Sequence, residues 1–420
     1  MRRAGLVLLL GTTTLLAHPF TKDDWHNTQR NRIAVQSQLG ERWAVVFAQP
    51  FTDILLPRQE GDYLYLTGVR EPGGVLVLSR KTSTLLLPAL NPRTAQFYGQ
   101  VYLPNDQTSR TLAIQTAPLR RSLATQLHAL LPQGARLALP RYAGPDHAPV
   151  RERKRALVEG IRKLRPGIEI VDLDPVLLPT RSRKNEWERR FMGRAIEITE
   201  EAFRNAVEVI RPGGTEAQVE HRMLGAMRHA KSRPAFPTVV GAGRNAAIPH
   251  YFANDGPLPA GGLVVIDSGA TWHRYAADIT RTFPVSGRFT PAQRKLYDAV
   301  LEAQLAGIAA VRPGASFRDI HNAARNVLRK HGLDRHFIHG TSHHVGLDVH
   351  DPGPTDALAA NMIITVEPGI YILEKELGIR IEDMVRVTKD GGEVLTAKLP
   401  KTADAIEKWM ASIQSPAQSR

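Results

Sequence analysis

Four carboxylates and a histidine-rich loop stand in this chain where side chains of their kind are costly to place without a task. Gly262-Leu-Val-Val-Ile-Asp-Ser-Gly269 reads as an apolar strand that ends in Asp267 beside a glycine turn. Eleven residues on, Asp278 enters a second strand, Ala277-Asp-Ile-Thr-Arg-Thr-Phe283. A hairpin of these strands brings the two carboxylates together, and burying like charges side by side is expensive without a counter-charge. A divalent cation, or a pair of them, supplies that charge. Taken alone, the pair fits two turn or capping aspartates at least as well.

Two glutamates shift the balance toward metal. Thr365-Val-Glu-Pro-Gly-Ile-Tyr371 sets Glu367 at the end of an apolar strand, and Gly378-Ile-Arg-Ile-Glu-Asp-Met384 sets Glu382 inside another. Glutamate is depleted in strands, and one that faces inward needs a partner. His339-Gly-Thr-Ser-His-His-Val-Gly-Leu-Asp-Val-His-Asp351 then places four histidines within twelve residues: His339, His343, His344 and His350. One of them is easily a satisfied core residue; all four together point to a metal or catalytic site. His250, in Ile248-Pro-His-Tyr251, is a fifth candidate that alone reads as an ordinary loop histidine. Four strand-end carboxylates and a histidine make an oxygen-rich site suited to two cations such as manganese, cobalt or zinc.

The elements that must position these residues follow a repeated order. A helix over residues 185–210 ends at Arg211-Pro-Gly-Gly-Thr215, and a second helix follows. A helix over residues 291–311 ends at Arg312-Pro-Gly-Ala-Ser316, and again a helix follows. Thr215 with Gln218 and Ser316 with Asp319 resemble capping pairs, and Thr290-Pro291 is a helix start. Strands carrying the unusual polar residues come after each pair, so the pattern predicts two pseudo-equivalent halves around one site. Upstream, strands are expected at residues 43–47, 63–66, 74–78, 84–87 and 168–171, with a helix over 119–131, which makes an α/β unit. The fold class is therefore α/β (α+β). A boundary is placed near residue 175, with the charged Arg181-Ser-Arg-Lys184 as a linker, giving domains of residues 18–175 and 176–412.

The chain has 420 residues, which suits two cores, and no cysteine, which excludes disulfides and thiolate metal sites. Its net charge is +14. The basic clusters at residues 151–155 and 181–184 lack interleaved aromatics, so they read as solvated faces and no nucleic-acid partner is expected. Arg2 and Arg3 precede an uncharged, leucine-rich run to Ala17, the layout of a signal peptide of residues 1–17; export to the periplasm or outside the cell is the expectation.

The strings Val264-Val-Ile-Asp-Ser-Gly-Ala270, Ala277 to Pro284, His339 to Asp351, Thr365 to Tyr371 and Arg380-Ile-Glu-Asp383 resemble, in order and spacing, the five signatures of aminopeptidase P and prolidase. These are the proline-directed pita-bread metallopeptidases. More loosely, Asp62 to Gly68 and Glu71 to Leu78 are similar to that family's creatinase-like amino-terminal domain. The resemblance implies a pair of divalent ions, manganese first, held by Asp267, Asp278, His343, Glu367 and Glu382, with Asp278 and Glu382 bridging. His343 takes the ligand position because it lies seven residues before His350. Glu367 would also shuttle a proton, His350 and His250 would contact substrate at the scissile carbonyl, and His339 would line the proline pocket. Arg380 would neutralise the carboxylates, with Tyr371 nearby. The implied activity is removal of an amino-terminal residue ahead of proline, in a dimer or tetramer. A dipeptide-specific prolidase, a metal-free binding module and a creatinase-like hydrolase are the alternatives. His344 departs from the pattern, standing where the family often has a bulky aromatic.

Overall fold

The computed structural model describes residues 22–50, 59–89, 102–141 and 148–414. The expected signal peptide, residues 1–17, lies outside them. No helix among the described residues is long and apolar enough to cross a membrane.

The amino-terminal domain is a six-stranded mixed sheet. Its strands are β1 (Arg42–Phe47), β2 (Val75–Leu78), β3 (Ser83–Pro88), β4 (Gln115–Leu119), β5 (Arg136–Leu139) and β6 (Glu169–Asp172), in the order β4-β3-β2-β1-β5-β6. Val45, Phe47, Val75 and Val77 face the helices Leu123–Leu130 and Ala148–Leu164, whose Leu127, Leu157 and Ile161 complete one buried layer. The alternate residues Ala44, Val46, Leu76 and Leu78 face the other way, into a core shared with Met192, Phe203 and Ile266 of the second domain. Alternation along each strand thus builds two layers from one sheet.

Two expectations fail in this domain. Residues 63–66 form no strand but part of the helix Gly61–Thr67. The carboxylate of Glu60 accepts from Tyr63 N and starts the helix, while Gly68, at φ 70°, ends it. Every residue of this helix is buried, so no polar face marks its period. The helix expected over 119–131 begins only after Ser122 caps it, because Leu119 closes β4.

The second domain repeats itself as expected. Helices Glu186–Val207 and Glu216–His229 are followed by the antiparallel strands Val239–Ala242, Leu263–Ser268 and Ile279–Pro284. Helices Pro291–Ala310 and Phe317–Lys330 are followed by the strands Ile363–Val366, Gly369–Ile372, Leu377–Arg380 and Asp383–Val387. All four helices start with a reciprocal capping box, at Asn185/Glu188, Thr215/Gln218, Thr290/Gln293 and Ser316/Asp319. The repeat extends to the turns. Gly213 and Gly314 both take left-handed backbone, and Leu258 N bonds Gly214 O as Leu358 N bonds Ala315 O.

Gly269 shows how closely the strands approach beside the site. A Cβ there would lie 1.7 Å from the Ala277 carbonyl oxygen, a backbone atom with nowhere to go. Gly269→Ala is expected to cost about 3 kcal/mol or more, read as a lower denaturant midpoint at unchanged slope.

In the stretch expected to be a solvated linker, Arg183 is exposed but Arg181 and Lys184 are not. Arg181 lies in the last turn of the helix Asp174–Ser182, and Arg181 and Lys184 are almost wholly buried at the junction between the domains. Their partners, Asp62, Asp348 and Asp351, lie far along the chain, which is why a local reading of charge missed them.

Candidate metal centre

Asp267 and Asp278 reach the site from one hairpin. Thr280 pairs with Asp267 across it, and Asp278 sits one residue before its second strand. Glu382 arrives from the other half, immediately before the strand Asp383–Val387, and its backbone N bonds the Thr280 carbonyl at 3.1 Å. The Thr280 hydroxyl donates to Glu382 Oε2 at 2.7 Å. Glu367 lies just past the strand Ile363–Val366, where the Thr365 hydroxyl donates to Oε1 at 3.2 Å.

Donor atoms of Asp278, His343 and Glu382 gather within 4.8 Å of one another. His343 Nε2 lies 3.4 Å from both Asp278 Oδ2 and Glu367 Oε1, so Glu367 joins the group through it. Nδ1 of His343 donates to the His344 carbonyl at 3.1 Å, which turns Nε2 toward the carboxylates. Asp267 Oδ2 accepts from Arg380 Nη2 at 2.8 Å, while its Oδ1 is buried with no hydrogen-bond partner.

Electrostatics explain what this arrangement asks for. Burial first, then the charges of Asp278, Glu367 and Asp267, push the Glu382 carboxyl well above its ordinary range. Asp278 and Asp267 are raised as well, burial again being the largest cause. Burial opposes a charge on His343, but the Asp278 hydrogen bond and the Glu367 charge outweigh it and raise its pKa to about 9. Carboxylates that raise one another, an orphaned buried oxygen and a histidine locked with one nitrogen inward fit a divalent cation pair.

The supporting shell is continuous. Arg380 donates to Asp267, to the Tyr371 hydroxyl at 2.7 Å and to the Thr280 hydroxyl at 3.0 Å. Tyr371 in turn lies 2.9 Å from His339 Nε2, and His339 Nδ1 donates to Gly340 O at 2.7 Å. Burial keeps His339 neutral by lowering its pKa. His350 is exposed, its ring 4.3 Å from that of His343, and exposed His250 stacks on Phe252 at 5.8 Å.

His344 does not join the cluster. It is buried behind the site, bonded to Pro354 O at 2.8 Å and packed on Phe317 at 5.0 Å, so the ring fills space as an aromatic would. Arg281 was not among the expected site residues. Wholly buried, it donates to the Thr280 and Glu382 carbonyls and to Asp383, and so ties the two ligand-bearing strands together. Its being the one charged residue of the strand Ile279–Pro284 was the only signal for it.

Residues 190–389 match the model of metallopeptidase family M24, and residues 29–137 match that of the aminopeptidase P amino-terminal domain. The Xaa-Pro aminopeptidase of Escherichia coli (strain K12) is 34% identical over 430 residues, covering 91% of this chain and 97% of that protein. The chain belongs to metallopeptidase family M24. This M24 enzyme also resembles the solved aminopeptidase P from E. coli with the inhibitor Pro-Leu, at TM-score 0.83 and 31% identity over 93% of this chain and 99% of that one. The Xaa-Pro dipeptidase of Pyrococcus furiosus is 36% identical over 247 residues, but that match covers 57% of this chain and 70% of the relative. An aminopeptidase P-type amino-terminal domain followed by a pita-bread metallopeptidase domain is thus the fold of the described residues.

Proposed function

We infer that this M24 enzyme is a metallo-aminopeptidase that removes the residue ahead of an amino-terminal Xaa-Pro bond. The observation that carries this reading is the convergence of Asp267, Asp278, His343, Glu367 and Glu382 from both halves onto one centre, backed by Arg380. The full-length likeness to aminopeptidase relatives, amino-terminal domain included, favours it over the dipeptidase, whose match is shorter. A binding module without catalysis has no physical need for such a donor set. Two divalent ions, when bound, supply Lewis acidity that makes water nucleophilic near neutral pH.

The chain's own groups then complete the reaction. A C–O bond forms at the carbonyl preceding proline as the C–N bond breaks. Glu367 Oε1 is held by Thr365, which leaves Oε2, on the His339 side, to carry a proton from the water to the proline nitrogen. His350 would donate to the developing oxyanion, a role supported by its ring lying 4.3 Å from that of His343. Neutral His339 and exposed His250 with Phe252 line the approach of the peptide. Arg380 holds Asp267 and, through Tyr371, fixes the tautomer of His339.

Manganese is the proposed metal, with cobalt or zinc as alternatives, from the preference of oxygen-rich sites. A homodimer or homotetramer and an exported enzyme complete the reading; the first rests on family resemblance and the second on the pattern of residues 1–17. Hydrolysis of Ala-Pro-Ala and Ala-Pro by chelator-stripped protein, with and without manganese, tests the whole. Metal-dependent alanine release from the tripeptide is expected. Cleavage of the dipeptide alone would make the enzyme a prolidase, and inactivity on both with manganese, cobalt or zinc would favour a binding module. His350→Ala is expected to keep its metal and lose about 10²-fold or more in kcat.

A further inference from the structure

The loop that carries the histidines has two limbs, and they are held differently. The limb with His343 is zipped to the strand Ile363–Val366. Thr365 N donates to His343 O at 2.9 Å, Val345 N to Ile363 O at 3.1 Å, and His343 N to the Thr365 hydroxyl at 3.1 Å. The returning limb, which carries His350, meets the first through Asp351 N, which donates to His344 O at 2.9 Å, and beyond that backbone bond it is held by buried charge. Asp351 Oδ1 accepts from Arg181 Nη2 at 2.7 Å and Oδ2 accepts from Lys184 Nζ at 3.0 Å. The same Arg181 nitrogen donates to Asp348 Oδ2 at 2.6 Å. Its other terminal nitrogen, Nη1, donates to Asp62 Oδ1 at 2.7 Å, on the helix Gly61–Thr67 of the amino-terminal domain.

The room for this cluster is built into the sequence. A Cβ on Gly61 would come 2.5 Å from Arg181 Nη2, and one on Gly346 would come 2.4 Å from Asp351 Oδ2. The side chains of Arg181, Lys184 and Asp351 are 3%, 1% and 1% exposed, so these bonds are little screened by solvent. Only a guanidinium offers two separated terminal donors that bridge three carboxylates on two domains. Asp348 and Asp351 flank His350 within two residues on either side.

We propose that Arg181 is a positioning residue that sets His350 against the substrate through Asp348 and Asp351, and that Asp62 makes this setting depend on the amino-terminal domain. The consequence for rate rests on the aminopeptidase reading; the consequence for loop order rests on the fold alone. Arg181→Lys keeps the charge and loses the fork. With Ala-Pro-Ala and saturating manganese, its kcat is expected to fall about 10- to 100-fold, with KM changed less than about threefold. Manganese affinity by calorimetry stays unchanged, because the His343 limb is held by its strand. Amide hydrogen exchange quickens about tenfold or more over residues 346–351 and not over 363–366. Placed in a His350→Ala background, Arg181→Lys costs less than about a further twofold in kcat. Asp348→Asn, a milder change on the same limb, moves exchange and kcat in the same direction by less.

An additive loss in the double variant, exchange that rises equally in both segments, or weakened manganese binding would overturn the role of Arg181. If Arg181→Lys does not fold, Asp348→Asn decides by the same exchange and double-variant measurements. A wild type that cleaves neither peptide sinks the aminopeptidase reading instead, and the exchange pattern still decides for Arg181.

Discussion

Glu382→Gln is expected to abolish turnover and, once metal is stripped, to melt at a higher temperature than the wild type. The two effects have one origin. Glu382 is 2% exposed, and burial together with Asp278, Glu367 and Asp267 holds its carboxyl far above the ordinary glutamate range. A carboxyl raised on folding stabilises the fold fully below its unfolded pKa, and that contribution is lost as pH rises through the folded one. The metal-free wild type therefore loses stability as pH rises above the ordinary glutamate range. The amide has no such penalty and can still accept from the Thr280 hydroxyl. The loss in kcat/KM is expected on the order of 10³-fold or more, because metal stabilisation of the transition state is worth several kcal/mol. The gain in melting temperature of the chelated protein is about 2 °C or more. Peptide assays with calorimetric metal titration, and thermal melts in chelator, check the two halves. Retained metal and rate would remove Glu382 from the site.

The largest loss of stability is expected at Arg281. Its guanidinium is wholly buried and donates to Asp383 Oδ1 at 2.7 Å and to the carbonyls of Leu399 and Pro400 at 3.1 and 2.9 Å. Burial pushes the Asp383 carboxyl up, but Arg281 and then Lys401 outweigh it and hold it below the usual aspartate range. That stabilisation is present above the unfolded pKa of aspartate and is lost as pH falls through the folded one. Arg281→Met leaves Asp383 with Lys401, the Thr396 hydroxyl and Gln304. Breaking a buried pair from one side costs roughly 3–5 kcal/mol. Denaturant unfolding at pH 7 measures this, and the difference between wild type and variant is expected to shrink as pH is taken well below 4. A loss under about 1 kcal/mol at pH 7 would contradict the buried-pair account.

What could be read from the chain tracks how far each residue's reason lies from it. Asp267 and Glu367 announced themselves because a carboxylate closing an apolar strand is anomalous within a few residues. The capping boxes at Thr215 and Ser316 were legible for the same reason, since each involves partners three apart. Arg181 and Lys184 were misread as a solvated linker because their partners are 119 to 170 residues away. The helix Gly61–Thr67 was misread because burial on all sides erases the period that separates helix from strand. Histidine type and spacing drew attention to the loop at 339–351, but His343 was told from His344 only by the family resemblance, because the division depends on which side of the loop faces Asp278. That is a tertiary fact.

Arg281 also sets an order of events during synthesis. Apart from the adjacent Thr280 carbonyl, the carbonyls and carboxylate that satisfy it belong to residues 382, 383, 399 and 400, more than a hundred positions downstream. A ribosome delivers the first half of the second domain well before those groups emerge. Until they do, the strand that follows Asp278 carries an arginine that cannot be buried, and the hairpin cannot close against its counterpart. A chain cut short before Asp383 lacks the groups that bury Arg281, and its two halves cannot be locked together through that contact.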